Sequence, residues 1–245
     1  MKPIFHSLQI KLEYKYRHIF KRSTRMNYHL NIVKGLFRPQ ISLYQLQKAE
    51  AIKGVFPKLI LLYVLCLITY ATSTYFGIGT ETYSGNITKY TIEEYESGKL
   101  LLLGGKLISG LLYPTLFIWF ASIFFWIFLE IPYLKVVIVQ SFGFALLLLG
   151  QILTMPVLVL LDLNLVSNPF SFGVLSQYAF DHEYWNSFFG SITLFHLVAL
   201  MLQYYYLASL SEKSRYVALT LLILFYLITW LLTGLMAFIK IPVLF

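Results

Sequence analysis

The sequence predicts an all-α integral membrane protein with five transmembrane helices, N-terminus in the cytosol and C-terminus outside. Three observations predict it. Of 245 residues, 58% are hydrophobic and only 12% are charged, about half the ~25% charged residues of a soluble domain. Five apolar runs reach the ~20 residues needed to cross a bilayer. Twelve of the nineteen lysines and arginines fall within the first 58 residues, a bias that marks the cytoplasmic side of a membrane protein.

Residues 1–54 form a basic cytoplasmic or interfacial segment, too short to bury a core of its own. Two short amphipathic helices are expected there, lying on the inner membrane surface. One comes from "SLQIKLEYKYRHIFKR" and one from "PQISLYQLQKAEAIKG". In the second, Pro39 stands near the start, Ser42 is a candidate N-cap and Gly54 a stop. Residues 55–245 form the transmembrane domain, with spans at about 59–79, 107–129, 136–161, 188–210 and 216–239. Two connections on the outer side are read as loops: a polar, turn-rich stretch at 80–106, and an aromatic stretch at 162–187 without lysine or arginine that suits the membrane interface. The inner turns around Glu130–Lys135 and Ser211–Arg215 are short, so spans two and three, and four and five, are expected to form antiparallel hairpins. With the N-terminus inside, fifteen basic residues face the cytosol and four (Lys89, Lys99, Lys106 and Lys240) face out.

Polar residues within the spans are the candidate functional positions, because such groups are costly in lipid. His196 and Gln203 are seven residues apart and share a face of span four. They could bind an ion, shuttle a proton or bond to a neighbouring helix. A single imidazole with no acidic partner is a poor relay, so interhelical bonding is favoured. Gln140 and Gln151 share a face of span three, and Gly143 and Gly150 share another. Pro114 and Pro156 are expected to kink spans two and three, since proline removes an i to i−4 hydrogen bond. A kinked helix carrying small and polar residues suits the centre of a bundle, and equally suits a substrate path. Asp162 reads as a boundary residue, and Glu130 and Lys135 as flanks of an inner turn.

No catalytic residue is assigned. The acids of "EEYES", Glu93, Glu94 and Glu96, fall in an outer loop and lack the histidine motifs of an intramembrane protease. Gly190-Ser191 lacks the context of an intramembrane serine nucleophile. There is no phosphate-binding loop, no HExxH and no carboxylate pair within a span, so neither cofactor nor metal is implied. Cys66, the single cysteine, is expected to be a small buried hydrophobe. Nucleic acid is not an expected partner, as no recognition motif accompanies the basic segment. The sequon at Asn86 counts as chance in a sequence of bacterial type. No cleavable leader is visible, so the first span is expected to act as its own insertion signal.

The last third of the chain carries an ordered set of features: "NPF" at Asn168–Phe170, "SITLF" at Ser191–Phe195 opening a span, the basic turn "SEKSR" at Ser211–Arg215, and a final hydrophobic helix. With "GLFRPQISLYQL" at Gly35–Leu46 before the first span, this order resembles the YIP (Ypt-interacting protein) domain family in its bacterial branch. Thr193 stands where an aspartate is common in those proteins, Val198 where a tryptophan is common, and Tyr204 to Tyr206 replace a region of small residues. The resemblance implies a five-span bundle without catalytic residues. It also implies a multi-pass protein of the bacterial plasma membrane that supports another membrane complex, an ABC-type exporter being the candidate. Anionic lipid headgroups are the second expected partner, and a small transporter or permease subunit is the alternative function.

Overall fold

A computed structural model describes residues 27–79 and 92–238. The chain is mostly helical, and four helices are long and apolar enough to cross a membrane: Val55–Tyr75, Glu96–Leu129, Tyr133–Leu160 and Arg215–Leu235. A further apolar helix, Leu194–Leu210, has 17 residues, about 25 Å of length.

The N-terminal segment is folded onto the bundle. Strand β1 (Asn27–His29) pairs in parallel with β2 (Ala51–Lys53), and helices α1 (Ile32–Phe37) and α2 (Pro39–Lys48) form the crossover that parallel strands require. Asn31 caps α1 by accepting the Lys34 amide, and proline at the first position of α2 needs no hydrogen-bond acceptor. Two expectations are corrected here. Ser42 lies inside α2, buried, and pairs its hydroxyl with Tyr28 at 2.9 Å, so it is not a cap. Gly54 does not stop α2. It adopts a left-handed conformation at φ 72° to turn the chain from β2 into the first span. The expected helix at 7–22 lies outside the described residues.

This segment does not simply rest on a membrane surface. Tyr206, fully buried, donates its hydroxyl to the carbonyls of Gly35 at 3.0 Å and Pro39 at 3.3 Å. A Cβ on Gly35 would sit 2.3 Å from the Phe142 ring, so only glycine lets α1 approach that closely. Gln47 donates to the Ser209 carbonyl, and Lys135 donates to the Gln47 carbonyl. We call this end of the bundle proximal and the opposite end distal. Burial raises the Tyr28 phenol above its ordinary pKa despite the opposing Ser42 hydrogen bond, so the Tyr28–Ser42 pair is uncharged at neutral pH. Tyr206→Phe is expected to loosen the docking without melting the bundle. Tryptic cleavage after Lys48 and Lys53 should speed up by about fivefold, the effect of losing roughly 1 kcal/mol of hydrogen bonding from a local opening.

Helix α3 (Val55–Tyr75) begins four residues earlier than expected and ends four earlier. Its end is set by Gly77 in the left-handed region, with the Ile78 amide bonding Ser73 and the Gly77 amide bonding Thr74. The expected loop at 80–106 is helical from residue 92: α4 (Ile92–Pro114) runs through a π-helical stretch (Thr115–Phe120) into α5 (Ala121–Leu129). Glu93 and Glu96 therefore lie on an exposed helix end rather than in a loop, and the sequon at Asn86 is outside the described residues. The 34 residues of Glu96–Leu129 measure about 51 Å, well beyond a ~30 Å hydrocarbon core. The exposed Glu96 and Lys99 fit projection of the first turns past the apolar layer. Pro114 cannot donate to Gly110, and the backbone widens into the π stretch just after it.

Helix α6 (Tyr133–Leu160) is the central post. Of its apolar window 72% is buried, against 22%, 28% and 33% for the other three long helices, which fits a centre rich in small and polar residues. It continues as helix through Pro156 to Leu160. It ends at Asp162, which takes φ 51° while the Leu163 amide bonds back to Leu158; Asp162 is thus the boundary residue expected. Cys66 is fully buried.

The expected fourth span is broken. Helix α8 (Glu183–Ser191) and helix α9 (Leu194–Leu210) are separated by extended backbone at Ile192 and Thr193. The expected loop at 162–187 contributes α8 and a further short helix, α7 (Gly173–Ala179). Helix α10 (Arg215–Phe238) completes the described chain and packs against α8 and α9. At the proximal end the two tight turns meet: Ser211 donates to the Leu129 carbonyl at 2.9 Å, and Lys213 lies 2.7 Å from Glu130. That ion pair is largely exposed, so it contributes little stability.

Candidate functional site

The break between α8 and α9 is built by local rules. The Phe172 amide donates to the Ile192 carbonyl at 3.1 Å, and the Leu194 amide donates to the Phe170 carbonyl at 2.8 Å, forming a short antiparallel bridge between Ser171 and Thr193. The loop side is held by Asn168, whose side chain accepts the Phe170 amide while its carbonyl accepts Ser171. Backbone groups freed by the break are thereby satisfied inside protein, the condition under which irregular backbone is tolerated at membrane depth. Thr193 then caps α9. Its hydroxyl accepts the His196 amide at 3.3 Å and pairs with His196 Nδ1 at 2.8 Å. Thr193→Ala should cost about 1 kcal/mol in reversible unfolding, and Thr193→Ser should restore it. Equal losses for both would show that the hydroxyl is not the cap.

Distal to the bundle's middle lies a cavity of about 600 Å³, within the usual range of small-molecule sites. It is lined by the distal halves of α3, α6 and α10, by Lys106 and Tyr113 of α4 with Phe117 just beyond, by the end of α8 and the start of α9, and by the loop at 165–168. Its deep wall is aromatic, with Tyr113, Phe117 and Tyr226, and Phe195 and Trp230 stand along its side. No Asp or Glu lines it among the described residues. Its lysine, Lys106, sits against Gly79 and Leu165.

The four candidate polar residues separate into two sites. Gln151 and His196 line the cavity, and Gln151 lies beside the Tyr70 hydroxyl. Gln140 and Gln203 do not reach it. Both are completely buried, and Gln203 Nε2 donates to Gln140 Oε1 at 2.6 Å. Tyr226 in turn donates to Gln203 Oε1 at 2.8 Å. Gly143 makes the room, since a Cβ there would stand 2.3 Å from Gln203 Nε2. Gln140 and Gln151 therefore serve different neighbours, α9 and α3. Gln140 Nε2 has no hydrogen-bond partner among the described residues.

Tyr226 belongs to both sites. Its ring faces the cavity, and its hydroxyl closes the clasp of glutamines beneath. Proximal to it, Phe142, Phe144, Gln140, Gln203 and Tyr206 have no water-accessible surface. Among the described residues this buried layer forms the floor of the cavity. Sequence reasoning did not single out Tyr226, Thr229, Trp230 and Thr233. Their spacing of three, four and seven from Tyr226 marks one face of the last helix, which was the available signal. Among the described residues no cluster of three or more His, Cys, Asp or Glu could hold a metal ion.

The chain matches no protein-family model, no curated protein and no solved structure.

Proposed function

We propose that this chain is a non-enzymatic accessory protein of the bacterial plasma membrane that supports another membrane complex, an ABC-type exporter being the candidate partner. The observation that carries the reading is the floor. A carrier acting alone needs its buried polar groups along a route from one face to the other. Here the two deepest, Gln140 and Gln203, bond to each other and to Tyr226 in a layer that excludes water. The proposed topology is five crossings, with the proximal end cytosolic and the C-terminus outside. What supports it is the exposed Arg38, Lys48, Lys53 and Lys58 around the proximal end, suited to anionic headgroups, and the succession of α8 and α9 as one interrupted crossing.

Membership of the bacterial YIP-like proteins is part of the proposal. Its support is that "NPF" and "SITLF" meet beside the Ser171–Thr193 bridge, where the Leu194 amide donates to the Phe170 carbonyl. Thr193 also caps a helix where those proteins commonly have an aspartate, a residue equally suited to capping. Purification of the chain from native membranes in mild detergent tests the function. A stoichiometric membrane partner bearing a nucleotide-binding subunit supports it, and recovery of the chain alone overturns it. Termini found on the same side of the membrane would overturn the topology.

A second reading, a transporter or permease subunit, is favoured by one observation: Gln151 and His196 share one cavity. His196→Ala separates the two. Lost stability alone belongs to helix fastening, whereas lost solute movement in an otherwise stable protein belongs to a transport site.

A further inference from the structure

The cavity's lining has a chemical sign. Five of its hydroxyls point their protons at their own helices: Thr69 donates to the Leu65 carbonyl, Ser73 to Tyr70, Ser191 to Phe188, Thr229 to Tyr226 and Thr233 to Thr229, all at 2.6–2.9 Å. Each hydroxyl proton is used, so what these oxygens offer a guest is lone pairs. Gln151, the exposed amide on the central helix, adds a carbonyl oxygen and an amide donor. A guest that brings donors suits these five oxygens, and Trp230 Nε1, buried and without a hydrogen-bond partner among the described residues, asks the same guest for an acceptor. It need not be a cation, because no carboxylate among the described residues lines the cavity and a lysine does. A bare ammonium there would find no counter-charge among the described residues. The remaining wall is aromatic and aliphatic, including Tyr113, Phe117, Leu147 and Trp230.

We propose that the cavity binds the uncharged, hydroxyl-rich head of an amphiphile, a sugar or polyol of monosaccharide size, with its apolar part against the aromatic wall. Hydroxyl donors meet these acceptor oxygens, and the C–H faces of a sugar ring suit flat aromatic side chains. Size agrees: at the ~30 Å³ share of one water molecule, about 600 Å³ holds roughly 20 non-hydrogen atoms, the size of a short-chain alkyl glucoside. The head could arrive on a membrane glycolipid or as a free sugar. The proposal goes beyond the accessory function and holds with or without a protein partner.

Octyl glucoside is the probe, titrated against the full chain purified in a polyoxyethylene detergent, so that no sugar detergent occupies the site. Tryptophan emission reports occupancy, because Trp230 lines the wall. Saturable binding is expected. Gln151→Leu and Thr229→Val remove hydrogen-bonding atoms at nearly constant volume, and each should weaken binding by about 5–10-fold, with melting in the absence of probe confirming the fold. Free glucose binding comparably assigns a soluble sugar, and octyl glucoside binding without glucose assigns a lipid-borne head; both support the shared chemistry. Octyltrimethylammonium binding as tightly as octyl glucoside would overturn the proposal, as would both variants binding like the parent, since either result reduces the cavity to an unselective apolar slot.

Discussion

Gln203→Ala is expected to destabilise the bundle by about 2–4 kcal/mol, while Gln140→Leu combined with Gln203→Leu costs far less than its two single changes added. The alanine variant removes both hydrogen bonds of the clasp. It leaves the Gln140 amide and the Tyr226 hydroxyl without partners in a layer with no water contact. An orphaned buried polar group costs ~1–3 kcal/mol, although interhelical bonds within membranes average less, ~0.6 kcal/mol. The double leucine variant removes both amides together and leaves only the Tyr226 hydroxyl without its acceptor. It also disposes of Gln140 Nε2, which already has no partner among the described residues. Tyr226→Phe loses one hydrogen bond and should cost about 1 kcal/mol. Reversible unfolding in mixed micelles measures the whole set. If the double variant loses the sum of the single effects, the two glutamines do not form a coupled unit.

That clasp shows what could be read from the sequence and what could not. Polar residues in apolar runs are conspicuous, so Gln140, Gln151, His196 and Gln203 stood out. Helical spacing then placed His196 and Gln203 on one face of span four. A separation of seven residues is also about 10 Å of rise, enough to put one at the cavity wall and the other in the clasp. Which partner each would meet depends on where α6 and α9 cross. Gly143 fixes that crossing by leaving room for Gln203, and no local pattern reports it.

The long helices were legible for a plain reason: apolar length is a strong signal, and the central helix announced itself by glycines and glutamines among leucines. Failures fell where local chemistry outweighs hydropathy. Ile192 and Thr193 are apolar or neutral enough to pass inside a span, yet both are β-branched, which lowers helix propensity, and Thr193 is a good cap. The break needs a partner strand from the loop at 168–172, with Ser171 pairing to Thr193 far along the chain. Strands β1 and β2 are three residues each, too short for any alternation to show. Helix α4 extends past its apolar core into residues whose charges read as loop. The docking of the N-terminal segment rests on Tyr206, a residue that looks like any other aromatic in an apolar helix.

Gly173→Ala should be far more damaging than Gly190→Ala, although both glycines sit at the crossing of α7 and α8. At Gly173 an added Cβ would meet the Val166 carbonyl oxygen at 2.2 Å and the Gly190 Cα at 2.9 Å. Both neighbours are backbone, so no side chain can rotate away and the segment itself must move. Overpacking of this kind costs ~1–3 kcal/mol and more where relaxation is blocked; about 3 kcal/mol is expected. At Gly190 the nearest atoms lie 3.8–3.9 Å away, ordinary contact, and alanine even gains helix propensity of up to ~1 kcal/mol. The damage from Gly173→Ala should stay distal. Ser171 bridges Thr193 only two residues before Gly173, so the break, its cap and the cavity rim lose their support together. Hydrogen exchange should rise at the Phe172 and Leu194 amides, which hold the bridge, and stay unchanged at the Arg38 and Ser42 amides in the docked proximal segment. Equal melting temperatures for the two alanine variants, or exchange rising at both ends alike, would mean that the α7–α8 crossing does not brace the break.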